Sequence, residues 1–199
     1  MPGQIKIDDG SGNYTVLTNG GSLGSDKTIT IPNTTGTMAL TSDISAGGLE
    51  AAQQFVQTAN VTSTGDITAN WAVPNVENQG NLGSLVSESS GIFSFSQTGF
   101  YKVTFVATCT VITSGNSYGK FRIYSTDDNS TYNYIAEGFF GGTSDYDIHT
   151  LSTSTIIDVT NTTNDKIKFY FAEQTGDTRL QGTASYNRTY VEFLKLGDT

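Results

Sequence analysis

The chain has 199 residues, a formal net charge of -9 and only 15% charged side chains, against about 25% in an average soluble domain. Its 10 Lys and Arg residues are scattered, which excludes a nucleic-acid partner because phosphate-binding surfaces need clustered cations. No apolar run is long enough for a membrane-spanning helix, one cysteine excludes an internal disulfide, and abundant Gly, Thr, Tyr and Phe favour strands over helices.

The first predicted element is a short hairpin. Residues 4–18 read QIKIDDGSGNYTVLT, in which the alternating runs QIKI and YTVL flank a turn rich in Gly, Asp and Asn. The opening stretch MPGQIKIDDG has neither the basic start nor the apolar core of a secretory signal. We therefore expect the protein to be assembled in the cytoplasm without export.

A second, weaker hairpin is predicted at residues 27–43, which read KTITIPNTTGTMALTSD. Two runs that alternate Thr with apolar residues flank a Pro-Asn-Thr-Thr-Gly turn. A hairpin of this size buries too little surface to be stable by itself in water. We expect it to pack against copies of itself or a partner, so residues 1–43 are predicted to be a docking arm and fibre-type connector, and 44–52 a linker.

Residues 53–199 are predicted to form an all-β domain. Turn signals recur about every ten residues, and the stretches between them alternate apolar and polar side chains, which is typical of a sandwich or barrel. The predicted strands lie within 53–62, 92–96, 100–113, 120–125, 132–140, 153–160, 166–173 and 186–197. About eight strands is the number of a jelly roll, so we predict an antiparallel jelly-roll sandwich behind a small N-terminal hairpin arm.

The same alternation predicts which side chains are buried. The predicted core residues are Tyr101, Val103, Phe105, Cys109, Phe169, Phe171 and Phe193. Because Cys109 alternates with apolar residues, we expect a buried hydrophobic side chain and not a reactive thiol. Tyr170 points away from Phe169 and Phe171, and a strand apolar on both faces usually has both faces buried. The second face is either a subunit interface, where Tyr and Phe are enriched, or a surface on which the tyrosines are exposed with hydrated hydroxyls, and we favour the interface.

No pattern in the sequence predicts an enzyme, a cofactor or a metal site. Asp145, Asp147 and His149 share one face of an extended chain. These residues are either a functional cluster, which binds a metal or acts in acid–base chemistry, or part of a polar loop at the end of the sandwich. We favour the loop. The run 127–129, Asp-Asp-Asn, suits calcium, but it is also ordinary turn chemistry.

A receptor-facing loop is the remaining candidate site within the domain. Trp71, in NWAVPN, either stacks on a sugar ring or anchors a loop, and the sequence favours neither. The residues assigned to a receptor-facing loop are Trp71, Asp145, Tyr146, Asp147 and His149.

Residues 53–197 resemble the jelly roll shared by complement globular heads and tumour necrosis factor. Gly99, Tyr101 and Val103 fit a Gly-x-Tyr-x-Val strand of that family. The stretch TIIDVTNTTNDKIKFYF matches a strand, a turn with Asp and another strand. TYVEFLKLG, with Phe193, fits the closing strand. The resemblance implies a jelly roll that associates around a threefold axis.

The segment KTITIPNTTGTMALTSD resembles a short unit of bacteriophage tail-fibre and related virion-appendage proteins, Thr-Ile-x-Leu/Ile-Pro followed by Gly-Thr-x-Ala-Leu. That resemblance implies three chains interlaced into a shaft. Ile29, Ile31, Pro32, Gly36, Thr37, Ala39 and Leu40 stand at the expected places. The residues assigned to trimer formation or docking are Ile29, Ile31, Pro32, Gly36, Met38 and Leu40.

Together, these patterns favour a non-enzymatic structural protein of a phage particle. We expect a short homotrimeric fibre or knob, docked by its arm on a tail or major capsid protein, that presents the jelly roll to a host surface glycan or protein. The alternatives are a capsid decoration protein or head fibre, and a secreted binding module of the complement-head type. A glycan-degrading tail spike is a further alternative, because acids that could pair are plentiful.

Overall fold

The computed structural model describes residues 5–8, 11, 14–17, 49, 51–112, 117–142, 146–173 and 178–199. Its described elements are all strands, and none of the described residues belongs to a helix that could cross a membrane. The chain divides into two compact units, Met1–Ser45 and Ala46–Thr199.

In the first unit, β1 (Ile5–Asp8) pairs antiparallel with β2 (Tyr14–Leu17), which confirms the predicted hairpin. The second predicted hairpin, at residues 27–43, lies outside the described residues. The same is true of all the residues assigned to trimer formation or docking, which are Ile29, Ile31, Pro32, Gly36, Met38 and Leu40.

The second unit contains two antiparallel sheets. Its strands are β3 (Ala51–Gln57), β4 (Gly65–Asp66), β5 (Trp71–Ala72), β6 (Val86–Ser89), β7 (Ile92–Phe95), β8 (Gly99–Val111), β9 (Ser117–Thr126), β10 (Asn133–Gly142), β11 (Ile148–Val159), β12 (Lys166–Glu173), β13 (Thr178–Leu180) and β14 (Tyr190–Gly197). Sheet I has the order β10-β9-β12-β7-β6, with β4 beside β12, and sheet II has the order β11-β8-β14-β3-β5, with β13 beside β8.

The order of the strands is that of a jelly roll, as predicted. The chain passes from β7 in sheet I to β8 in sheet II, back to β9 and β10, then to β11, β12 and β14 in alternate sheets. Apart from the hairpins β6–β7 and β9–β10, the paired strands of these two sheets are not consecutive in the chain, and the two sheets enclose one core.

The core lies between the sheets and consists mainly of aromatic side chains. All seven residues assigned to the core are at most 1% exposed. Phe93 occupies the centre, with ring centroids 5.1 Å from Phe169, 5.2 Å from Phe55 and 5.3 Å from Phe193. Two of these three contacts are edge-to-face, the arrangement that ring quadrupoles favour.

Buried polar groups also join the two sheets. Gln53, on β3 in sheet II, donates from Nε2 to the carbonyl oxygen of Val86 on β6 in sheet I at 3.1 Å. Its Oε1 accepts from the Val86 backbone N–H at 2.6 Å. The side chain thus satisfies both backbone groups of one residue, and unsatisfied buried groups would each cost about 1–3 kcal/mol.

Gly99 stands at the start of β8 because no larger residue fits there. Its φ is +135°, a conformation that side chains with a Cβ rarely adopt. A Cβ at this position would lie 2.4 Å from the carbonyl oxygen of Gly197, on the closing strand. The glycine therefore allows the two strand ends to approach closely.

Four strands were not predicted from the sequence. These are β4, β5 and β13, whose two or three residues are too short for a period-two pattern, and β6, whose sequence VSES has a single apolar residue. A second difference is the start of β11, which begins at Ile148 and not near residue 153. Residues 148–152 were predicted to be a loop, but β8 is long enough to pair with them, from Thr110 opposite Ile148 to Val106 opposite Ser152.

A core substitution tests this packing. We expect Phe105→Ala to lower the free energy of unfolding by about 3–5 kcal/mol, because Phe105 is fully buried against Phe121 and Phe169. Phe139→Ala is the matched control, since Phe139 is 59% exposed and its loss should change stability by less than about 0.5 kcal/mol. Urea unfolding of both variants checks this, and a loss below about 1 kcal/mol for Phe105→Ala would contradict the assignment of its face to the core.

Candidate self-association face

Trp71 does not face a receptor, and that prediction is wrong. The side chain lies on β5, is 9% exposed, and packs in the core 5.6 Å from Phe93 and 5.7 Å from Phe169. Its Nε1–H donates to the Ile67 carbonyl oxygen at 3.0 Å, so the polar edge of the indole is satisfied internally. The indole therefore anchors the segment between β4 and β5 to the core.

His149 belongs to a strand and not to a polar loop. It lies on β11 opposite Cys109, on the side of sheet II that faces the core, and is half-buried. Its buried Nε2 makes no hydrogen bond with any residue that the structure describes. Tyr146, 69% exposed, and Asp147 precede the strand and flank its start through backbone hydrogen bonds with Val111. Asp145 lies outside the described residues.

The Asp-Asp-Asn turn is held by its own side chains. The Asp128 carboxylate accepts hydrogen bonds from the backbone N–H groups of Ser130 and Thr131 and from the Thr126 hydroxyl. These hydrogen bonds hold the pKa of that carboxyl well below its usual range. No group of three or more His, Cys, Asp or Glu residues is placed to hold a metal ion within the described segments.

The Cys109 thiol lies in the core, on the inward side of β8. It is 0% exposed, and burial raises the pKa of the thiol far above its ordinary value. Since the thiolate is the reactive form, this environment makes the group a packing element.

The side of sheet II that points away from the core is a broad surface, here called the flat face. It consists of the alternate residues of β11, β8, β14 and β3 whose side chains point away from the core. Strand register places them in rows across the sheet. The three central rows are Ile156-Lys102-Leu194-Ala52, Ser154-Thr104-Glu192-Gln54 and Ser152-Val106-Tyr190-Val56.

The flat face carries few charges and several exposed apolar side chains. Lys102 and Glu192 are the charged members of its three central rows, and Glu192 accepts a hydrogen bond from Gln54 at 3.1 Å. Ile156 is 61% exposed, and Ile148, at one end of β11, is 60% exposed. Phe100, at the other end of the sheet, is 40% exposed. Few charges together with exposed apolar groups are typical of the core of a protein interface.

A cleft opens beside the flat face, where the edge strands β10 and β11 diverge. It has a volume of about 400 Å³ and is called the edge cleft below. Ile135, Ile156 and Ile157 form apolar parts of its wall, and Asp127 and Asp158 add carboxylates. Because Ile156 belongs to both, the edge cleft and the flat face form one continuous surface.

The sandwich is similar to solved structures of two other proteins. The crystal structure of murine APRIL at pH 5.0 shares 11% identity, covers 73% of this chain and 98% of its own, and has a TM-score of 0.55. The structure of Eiger TNF from S. frugiperda shares 12% identity, covers 74% of this chain and 93% of its own, and has a TM-score of 0.52. The crystal structure of murine APRIL at pH 8.5 shares 11% identity, covers 73% of this chain and 98% of its own, and has a TM-score of 0.51.

These likenesses establish the fold. At such low identity they show that the sandwich is a jelly roll of the kind found in tumour necrosis factor, as predicted. No protein-family model matches the sequence, and no curated protein is similar to it. Function must therefore be argued from surfaces of this chain.

Proposed function

We propose that the protein is a non-enzymatic binding module that works as a homotrimer, in which residues 53–199 form the head of a short appendage on a bacteriophage particle. The observation that carries the trimer is the flat face, with its exposed apolar groups and few charges. The observation that supports a location on the phage particle is the fibre-type sequence at residues 27–43.

Threefold symmetry requires two different surfaces on each copy. A closed ring of three is built from heterologous contacts, in which one patch of a subunit meets a different patch of the next. The flat face and the edge cleft are two such patches that adjoin at Ile156. We assign the flat face of one copy to contact the β10–β11 edge of its neighbour.

Burial of the apolar side chains supplies the driving force. Covering an exposed Ile or Leu side chain is worth roughly 1.5–3 kcal/mol. Ile148 and Ile156 lie on the flat face, and Ile135, 40% exposed, lines the edge cleft. These groups recur in all three interfaces of a trimer. The second face of β12, with Tyr170, which the sequence favoured as an interface, also carries Lys168 in an ion pair with Asp66 and is less suited to a dry contact.

The N-terminal residues are assigned to attachment. The segment at 27–43 cannot bury enough surface by itself, and its pattern resembles the unit that interlaces chains in phage appendages. We therefore assign residues 1–43 to docking on a tail or major capsid protein, with the head turned outward to a host surface. A capsid decoration protein or head fibre would use the same arrangement. The jelly roll would serve equally in a secreted binding module of the complement-head type.

A charge on the flat face should dissociate the trimer. We expect the wild type to sediment as a trimer and Ile156→Asp to sediment as a monomer, because each copy would bury an unpaired carboxylate in the interface. The matched control is Ile92→Asp on sheet I, where Ile92 is 37% exposed and lies off the flat face. Analytical ultracentrifugation checks all three proteins. A monomeric wild type, or a trimer that persists in Ile156→Asp, would refute the assignment.

Removal of the arm tests the role of the N-terminal residues. We expect a chain without residues 1–43 to keep a cooperative unfolding transition, because the sandwich has its own core. The same chain should no longer be incorporated into phage particles. Electron microscopy of particles labelled against the head gives the readout and distinguishes tail from capsid. Incorporation of the truncated chain would place docking elsewhere, and absence of the full chain from particles would favour the secreted module.

A further inference from the structure

The outward side of sheet I differs from the flat face in its chemistry. Where sheet II presents aliphatic and hydroxyl groups, sheet I presents rings with cations between them. We call this surface the aromatic face. Its main members are Arg122, Tyr124, Tyr134, Phe139, Lys168 and Tyr170.

Strand register brings these side chains together. Tyr134 on β10 lies opposite Tyr124 on β9, which lies opposite Lys168 on β12. Arg122 is paired in the same way with Glu137 on one side and Tyr170 on the other. The inward residues of the same strands are taken by the core, so these side chains project on one outer surface.

The rings form a contiguous platform. The Tyr124 centroid lies 6.0 Å from that of Tyr134 and 5.6 Å from that of Tyr170. The Arg122 guanidinium lies 4.6 Å from the centroid of Tyr134, an arrangement that holds the ring in place. Tyr134 is nevertheless 58% exposed, and Phe139, farther along β10, is 59% exposed. Two exposed rings are therefore presented on a rigid sheet.

The two cations among the main members of the aromatic face are already paired. Arg122 forms an ion pair with Glu137. Lys168 Nζ lies 2.8 Å from Asp66 Oδ2. A charged ligand would have to break or compete with these pairs, whereas a hydroxyl group is both donor and acceptor. It can donate to a carboxylate and accept from the neighbouring cation without disturbing either.

The platform is elongated along β10 and has a hollow at one end. Tyr134 and Phe139 are five residues apart on one strand with a bulge between them, a separation of about 15 Å at the usual rise of a strand. Beside Phe139, the outer residues Tyr118, Lys120 and Ala172 line a hollow of about 260 Å³, and Glu173 adjoins it at the end of β12. The small side chain of Ala172 leaves the space for this hollow, which suits a chain of several units rather than one small molecule.

From this chemistry we infer that the aromatic face binds a neutral oligosaccharide. The C–H faces of sugar rings stack on the electron-rich faces of aromatic side chains, and sugar hydroxyls match the two ion pairs. A protein partner is less well matched, because a large dry contact would remove the two ion pairs from water, which is costly. The inference rests on the proposed binding role, but it requires neither trimer formation nor attachment to a particle.

The test is calorimetric titration of the full chain with defined sugars. The probes are maltohexaose, cellohexaose and mannohexaose, with a galacturonate hexamer as the acidic comparison. We expect at least one neutral hexasaccharide to bind. Tyr134→Ala and Phe139→Ala should each weaken that binding about tenfold through the loss of one stacked ring. The matched control is Tyr186→Ala, which removes an exposed tyrosine that also contacts an arginine but lies off sheet I.

Each outcome has a defined meaning. Binding that is weakened in both ring variants and unchanged in Tyr186→Ala supports the site. Failure of every neutral hexasaccharide to bind, tighter binding of the galacturonate hexamer, or full binding by the ring variants overturns it. Sedimentation of the same samples keeps the two proposals separate. A trimer that binds no sugar refutes only the sugar site, and a monomer that binds sugar refutes only the trimer.

Discussion

The aromatic core between the two sheets is the constraint on which the rest of the structure depends. The rings around Phe93 join strands of both sheets, and Gln53 ties β3 to β6 at the margin of that core. Because the side chains of alternate residues in each strand point into the core, the side chains of the residues between them must point outward. The register of β8 thus determines the flat face, and the registers of β9 and β12 determine the aromatic face. A shift of one residue would exchange buried and exposed sets.

The two outward surfaces have different compositions, and this difference suggests different tasks. On sheet II, Ile148 and Ile156 stand among hydroxyl groups with few charges, which favours contact with protein. On sheet I, Tyr134 and Phe139 stand among ion pairs, which favours a ligand with both donors and acceptors. A trimer in which the flat face of one copy meets the edge cleft of the next would leave the outward side of sheet I, with its aromatic face, exposed to solvent in each copy. Three equal sites on one particle would then bind a repetitive surface with higher avidity than one.

The sequence was sufficient for the long strands and insufficient for features that depend on neighbours distant in the chain. β8 and β12 have sustained alternation, so their bounds and buried faces could be predicted. β5 has two residues, and no local pattern shows that its Trp71 enters the core. The aromatic face combines residues from β9, β10 and β12, whose alignment depends on pairing register. The flat face likewise becomes visible only when β11, β8, β14 and β3 are placed side by side.

Hydroxyl-radical footprinting of the assembled protein tests the central claim most directly, namely that self-association uses the flat face and leaves the aromatic face free. The reference is a monomeric sample prepared by dilution below the association range. The account predicts that Ile156, Phe100 and Leu194 are labelled less in the assembly than in the monomer, and that Tyr134 and Phe139 are labelled equally in both. Protection of Tyr134 and Phe139, with unchanged labelling of the flat face, would contradict it.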